Sequence, residues 1–246
     1  MKAGIINVGA NASHFPLRSP IFEDGSFEFI PIPEPMKIPA KCQHVLTFAE
    51  LRSFYSAKAT MAQYLPPRFL TLRMHNDPDL VGFTYGDYPT QSPRASNLRL
   101  LDEGDHLFFL ARLVAWRDGN FTEPAGFYLV GYLEIEKVVR EVRSRNSFRH
   151  SDFDSNAHVL RGLCRKDFWD GFWLFKGSSM SRRFARAVPF TREVASVVLR
   201  DRHDQPWRWS RSKSELQTIG SYTRSCRIIT NQERIEELWC WANSHD

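Results

Sequence analysis

The sequence predicts a single domain of mixed α+β class, and three observations carry that expectation. Residues 104–139 read as two long apolar arms, 106–116 and 126–139, around a turn at Arg117, Asp118, Gly119 and Asn120. Near the C-terminus Thr230 and Glu233 stand at capping-box spacing. Ile235, Leu238, Trp239 and Ala242 then recur at i, i+3, i+4 and i+7, which is one face of a helix. Neither an internal repeat nor a Gly/Ser-rich linker divides the 246 residues.

The remaining elements follow in chain order. Residues 2–8 are apolar and end at Gly9, a short first strand, and residues 9–19 form a polar loop. Residues 20–35 alternate around Asp24 and Gly25, placing Phe27, Phe29 and Ile32 on one strand face. Prolines 20, 31, 33, 35 and 39 exclude a helix there. Thr47 and Glu50 form a capping box that starts the first helix, and residues 56–65 extend helical structure up to Pro66 and Pro67. Residues 75–97 are loop-like, and 140–156 form a basic surface loop. Residues 169–176 read as a strand and 181–187 as a short helix. Residues 194–199 fit either a strand or a short helix.

Composition narrows the functional classes. Apolar residues are 42% and charged residues 25%, which excludes a disordered chain, a collagen and a coiled coil. No apolar run approaches the roughly 20 residues that cross a bilayer, and residues 1–13 lack a signal-peptide pattern. The expectation is a soluble cytoplasmic protein with no membrane partner. Cys42, Cys164, Cys226 and Cys240 are far apart, so neither a zinc clip nor a dense disulfide framework is suggested. Residues 1–136 carry 12 Lys+Arg against 15 Asp+Glu, whereas 137–246 carry 21 against 13. The basic excess therefore lies in the C-terminal half. Arginines there interleave with aromatics around 168–186 and 207–211, the pairing that nucleic-acid grooves use.

Several constellations have the chemistry for a ligand. Asn11 offers an amide that matches a base edge, with Ser13 and His14 beside it and Arg18 within reach of a phosphate. Residues 175–183 carry Lys176, Ser178, Ser181, Arg182 and Arg183 around Gly177, a phosphate-contact loop without P-loop spacing. Tyr85, Phe109 and Trp116 are candidate stacking surfaces. Asp77 and Asp79 flank Pro78 beside His75, and carboxylates so spaced suit a divalent metal or acid–base work. The sequence shows no third ligand for an ion, so no metal and no cofactor are expected. His158 and Cys164 have the residue types of a nucleophile pair, but an ordinary buried cysteine is the plainer reading.

Two resemblances connect these features. The hairpin 104–139 has Gly104 and Asp105 before its aromatic strand, and Gly131, Glu134 and Ile135 on its return. It resembles the hairpin of the PUA-like superfamily, which includes the EVE, YTH and ASCH domains. That resemblance implies a bent β-barrel over about residues 1–200 with peripheral helices, followed by a helical extension over about 228–244. More broadly, Asn7 to His14, then Ser19, Pro20 and Ile21, Asp24 and Gly25, Pro31 to Pro33, Asp77 to Asp79 and Gly131 to Ile135 follow one another as in the third nucleotide-modification-associated domain family. It implies a connection with base modification.

The functional expectation is a nucleic-acid or nucleotide binding protein. Asn11, Ser13, Tyr85, Phe109 and Trp116 would hold a base, modified or not. Arg18, Lys176, Ser178, Ser181, Arg182 and Arg183 would hold phosphates. The alternative is an enzyme acting on a nucleotide or modified base, a hydrolase or group transferase, with His14, Asp79 and His158 as acid–base candidates. The oligomeric state and the choice among DNA, RNA and free nucleotide stay open.

Overall fold

The computed structural model describes residues 1–201 and 203–246. Along the chain its strands are β1 Ala3–Val8, β2 Ser19–Ile21, β3 Ile32–Pro33, β4 Met74–His75, β5 Thr84–Asp87, β6 His106–Arg117, β7 Asn120–Val142, β8 Phe172–Gly177, β9 Arg182–Pro189 and β10 Arg227–Ile229. The α-helices are α1 Ala157–Cys164, α2 Arg192–Val198, α3 Glu215–Tyr222 and α4 Gln232–His245.

The hairpin β6–β7 is the spine, and its turn is made at Asp118 and Gly119, both with positive φ. Strand order in the main sheet is β10-β1-β6-β7-β8-β5, with β2 continuing beside β6 beyond the end of β1. β1 and β2 run parallel to β6. β7 is long enough to pair with β9 through Tyr128–Tyr132 and then with β8 through Ile135–Val142. Gly131 sits where the β6–β7 and β7–β9 registers both shift. A Cβ there would meet the carbonyl oxygen of Arg182 at 2.6 Å, so this strand glycine serves close backbone approach.

Both faces of the spine are buried, which explains its nearly unbroken apolar sequence. Phe108, Leu110 and Leu129 face a core completed by Val194, Ala195 and Val198 of α2, Ile219 of α3, and Ile235, Leu238 and Ala242 of α4. Leu107, Phe109, Ala111 and Leu113 face the opposite core, with Leu98, Leu101, Tyr85 and Phe175. A third cluster, Leu17, Ile30, Phe48, Met61, Leu65 and Met74, packs the N-terminal loops.

The mixed α+β class holds, but the sheet does not close into a barrel. It ends at edge strands β10 and β5 instead. Several elements differ from the sequence expectations. Residues 181–187, expected as a short helix, fall largely in β9: Phe184 and Val188 are fully buried, and pairing with β7 overrides the helical propensity of Arg and Ala. The helix expected from Thr47 is reduced to a 3-10 turn at Phe48–Glu50, although Glu50 does cap Thr47, accepting from its backbone N–H at 2.8 Å. Residues 56–65 hold only the turn Ala62–Tyr64. Phe27 is not in a strand but bridges to Ile21, and Ile32–Pro33 is all that pairs with β4. The cap of α4 is Asn231, whose side chain accepts from the Arg234 N–H at 3.0 Å, rather than Thr230. Cys42 and Cys164 form a disulfide, so Cys164 has no thiolate and the proposed Cys/His nucleophile pair falls. Among the described residues no helix is long and apolar enough to cross a membrane.

Candidate functional site

A cavity of about 760 Å³ opens beside the hairpin. Four cations line it, Arg94, Arg112, Lys213 and Arg224. Arg112 on β6 stands directly across from Phe127 on β7, and both reach the cavity. Leu216, Gln217, Gly220 and Ser221 of α3 form the facing wall. Gly220 allows the helix to lie close: a Cβ there would meet the Phe127 ring at 3.3 Å. The helix starts firmly because Ser214 and Gln217 cap each other, the Ser214 Oγ accepting from Gln217 N–H and the Gln217 Oε1 accepting from Ser214 N–H.

The N-terminal segment supplies the neutral polar groups. Asn7, at the end of β1, and Asn11, Ala12 and Ser13 line the same cavity. The Asn11 Oδ1 accepts from the Ser13 backbone N–H at 3.0 Å and from its hydroxyl at 2.7 Å, which holds the turn. Arg94 donates to the Asn7 carbonyl at 2.8 Å. Two buried lining atoms have no hydrogen-bond partner among the described residues: Asn7 Oδ1 and Arg112 Nε. Buried polar atoms are nearly always paired, so this acceptor and this donor are the groups a ligand would satisfy. His14 stands near this rim, and burial together with the Arg94 charge lowers its pKa, leaving it uncharged at neutral pH. A smaller pocket of about 350 Å³ adjoins the cavity through the shared Lys213 and Ser221, and adds Arg208 and Arg227.

The sequence expectations divide sharply at this cavity. Asn11 and Ser13 are at it. Tyr85 and Phe109 lie in the core, 3% and 0% exposed with their rings 5.6 Å apart, so neither offers a face to a base. Trp116 packs edge-on against Tyr64 and Phe121 at 4.9 and 4.7 Å. Arg18 lies over the Phe15 and Phe121 rings. In the 175–183 loop, Lys176 donates to the Gly82 carbonyl at 2.6 Å, and the Ser178 hydroxyl donates to the Glu134 carboxylate. The Ser181 hydroxyl accepts from the Glu134 N–H. A carboxylate beside those hydroxyls opposes an anion. Arg182 pairs with Asp246 at 3.1 Å. Arg183 is buried against the Phe27 and Phe54 rings at 4.0 and 3.8 Å and donates to the Phe27 carbonyl. Sequence reasoning missed Asn7, Arg94, Arg112, Lys213 and Arg224. One signal was present: Gln217, Ser221 and Arg224 recur at helical spacing after Ser214, a polar stripe behind a capping signature.

A second polar assembly is buried under β4, β5 and α1. Asp77 accepts from the Gly86 N–H at 2.9 Å, and its Oδ2 lies 3.3 Å from His158 Nε2 and 3.9 Å from His75 Nε2. The side chains of these three are 2%, 5% and 10% exposed in that order. The other nitrogen of His75 donates to Glu34 at 2.9 Å. Arg161 lies 3.3 Å from Glu34, donates to the Tyr88 hydroxyl, and lies 3.1 Å from His158 Nδ1. Gly86 keeps this cluster tight, since a Cβ there would meet the His158 ring at 2.5 Å. Burial pushes the Asp77 carboxyl well above the carboxylate range, against the Gly86 hydrogen bond, and pushes the His158 imidazole well below its ordinary value. Asp79 is tied elsewhere, accepting from Val81 N–H at 3.0 Å and from the Ser155 hydroxyl. Asp79 and His158 thus lie in one neighbourhood, linked through Thr84 and Asn156, whereas His14 stands at the cavity rim.

The open mixed sheet and a cavity lined by four cations define an α+β protein. The chain belongs to the nucleotide modification associated domain 3 family, whose profile matches residues 2–229, and this links it to the modification of bases. No curated protein and no solved structure matches it.

Proposed function

We propose that the protein binds a nucleotide unit of a nucleic acid in the cavity between β6–β7 and α3, as a recognition component of base modification. The observation that carries this reading is the cavity lining: it holds four cations, and two of its buried polar atoms, Asn7 Oδ1 and Arg112 Nε, have no hydrogen-bond partner among the described residues. Cations would hold phosphates, while Asn7, Asn11 and Gln217 offer amides to a base edge. Phe127, 7% exposed, contributes an apolar edge to the lining. The hairpin β6–β7 serves as one wall, through Arg112 and Phe127. The adjoining pocket with Arg208 and Arg227 would take the next phosphate, which favours a strand over a free nucleotide. The enzymatic alternative has less support, because Asp79 and His158 do not line this cavity and His14 stands apart from them.

Fluorescence anisotropy with labelled oligonucleotides, modified and unmodified, across a salt series tests the reading. Affinity falls steeply with salt. Arg112→Ala weakens binding about tenfold or more, since it removes a charge-assisted contact. Lys213→Ala and Arg224→Ala each reduce the salt slope by about 0.7 to 0.9. Mass spectrometry of the nucleosides shows them unchanged. Unaltered affinity in Arg112→Ala, or no binding to any DNA, RNA or nucleotide tried, overturns the proposal.

A further inference from the structure

We propose that His75, Asp77 and His158 form a site for one divalent transition-metal ion of the zinc and ferrous-iron class. None of the three lines the cation-rich cavity, so the inference stands apart from the nucleotide reading.

One donor atom from each residue lies within 4.8 Å of the others. Around a tetrahedral ion with bonds of about 2.0 Å, donor atoms stand about 3.3 Å apart. The Asp77–His158 separation of 3.3 Å already has that value, and the Asp77–His75 separation of 3.9 Å needs only a small closing movement. Two imidazole nitrogens and one carboxylate oxygen select a borderline first-row ion over magnesium or calcium, which prefer all-oxygen shells. Three protein donors leave a further position for water or a ligand.

The surroundings are those of a metal centre. Glu34 accepts from His75 Nδ1, so Nε2 keeps its lone pair and turns it toward Asp77. A carboxylate behind a ligating histidine is the usual second layer of such sites. Arg161 can only donate, so the His158 Nδ1 is an acceptor and Nε2 carries the hydrogen that faces Asp77. For Nε2 to bind an ion as a neutral ligand, that hydrogen moves to Nδ1, which gives up its contact with Arg161; Glu34 and the Tyr88 hydroxyl keep the guanidinium in place. Asp77 is buried between two imidazoles, and a bound cation supplies the close opposite charge that favours its carboxylate there.

The test uses the full chain, stripped with a chelator and titrated anaerobically with cobalt(II), followed by zinc(II) as competitor. The expected result is one equivalent of cobalt per chain, with visible d–d absorption that zinc abolishes, and stoichiometric metal by elemental analysis of the protein as purified. His75→Ala, at the least buried of the three, lowers metal affinity by more than about a hundredfold while the circular dichroism is kept. Glu34→Gln lowers it about 10- to 100-fold. Wild-type protein that is folded yet takes up neither ion at micromolar concentration overturns the proposal. So does a folded His75→Ala variant that binds cobalt as the wild type does. The wild-type titration decides the matter even where a variant fails to fold.

Discussion

Arg161 shows what a single buried charge does in this molecule. Its side chain is 2% exposed, and it faces Glu34, itself 1% exposed, as well as Tyr88 and His158. A buried ion pair adds little over an apolar replacement of both partners, but removal of one partner strands the other. Arg161→Met is therefore expected to destabilise the protein by about 3 to 5 kcal/mol, read as a lowered denaturant midpoint at unchanged slope. The loss should shrink when Glu34→Gln is added, because the stranded charge is then gone. At this scale the sequence was informative where neighbours are local. Asn11 and Ser13 lie in one short loop and reach the cavity together. His75 and Asp77 were visible as a pair, but His158 arrives from α1, and no spacing rule connects a loop to a helix so far along the chain. Arg112 was hidden for a different reason. It is a lone cation inside an apolar strand, a pattern that reads as solvent-facing until the cavity beside it is known.

Elements were legible in proportion to how far local signals and tertiary contacts agree. The hairpin β6–β7 combines β-prone residues with a turn that needs two positive φ values, and it forms as expected. β9 is the opposite case, because its arginines and alanines favour a helix while pairing with β7 buries four of its residues, Arg183, Phe184, Ala187 and Val188. α1 and α3 span eight residues each and escaped notice because two turns leave little periodicity to detect. α4 was readable, since its apolar stripe runs along a longer helix. That stripe is central to the fold. Ile235, Leu238 and Ala242 are fully buried, and Trp239 packs edge-on against His106, Phe108 and Tyr132 at 5.0, 4.8 and 4.7 Å. Leu238→Ala should accordingly cost about 2 to 5 kcal/mol in equilibrium unfolding. A loss below about 1 kcal/mol would mean that α4 is loosely docked, contrary to its burial.

At the scale of the whole molecule, two of the contacts between the halves of the chain bear on the sites, one at the cavity and one a disulfide. The basic excess of the C-terminal half is divided between structure and surface. Arg161 and Arg183 are consumed in the interior, and Arg182 and Arg234 pair with Asp246 and Asp204. Lys213 and Arg224 are what that half brings to the cavity, where they join Arg94 and Arg112 from the acidic half. The second contact is covalent. The Cys42–Cys164 bridge joins the segment after Glu34 to the end of α1, the helix that carries His158 and Arg161, across a sequence separation of 122. Closing so long a loop removes much of the freedom of the unfolded chain, a stabilisation of typically 2 to 4 kcal/mol. The double substitution of Ser for Cys42 and Cys164 should therefore lower stability by that amount. It should also leave oligonucleotide affinity nearly unchanged, because neither cysteine lines the cavity. Denaturation and anisotropy measured on the same variant separate the two effects. Equal stability with and without the bridge would show that the surrounding hydrogen bonds, among them Arg73 to the Cys42 carbonyl at 2.8 Å, already hold this segment without the covalent link.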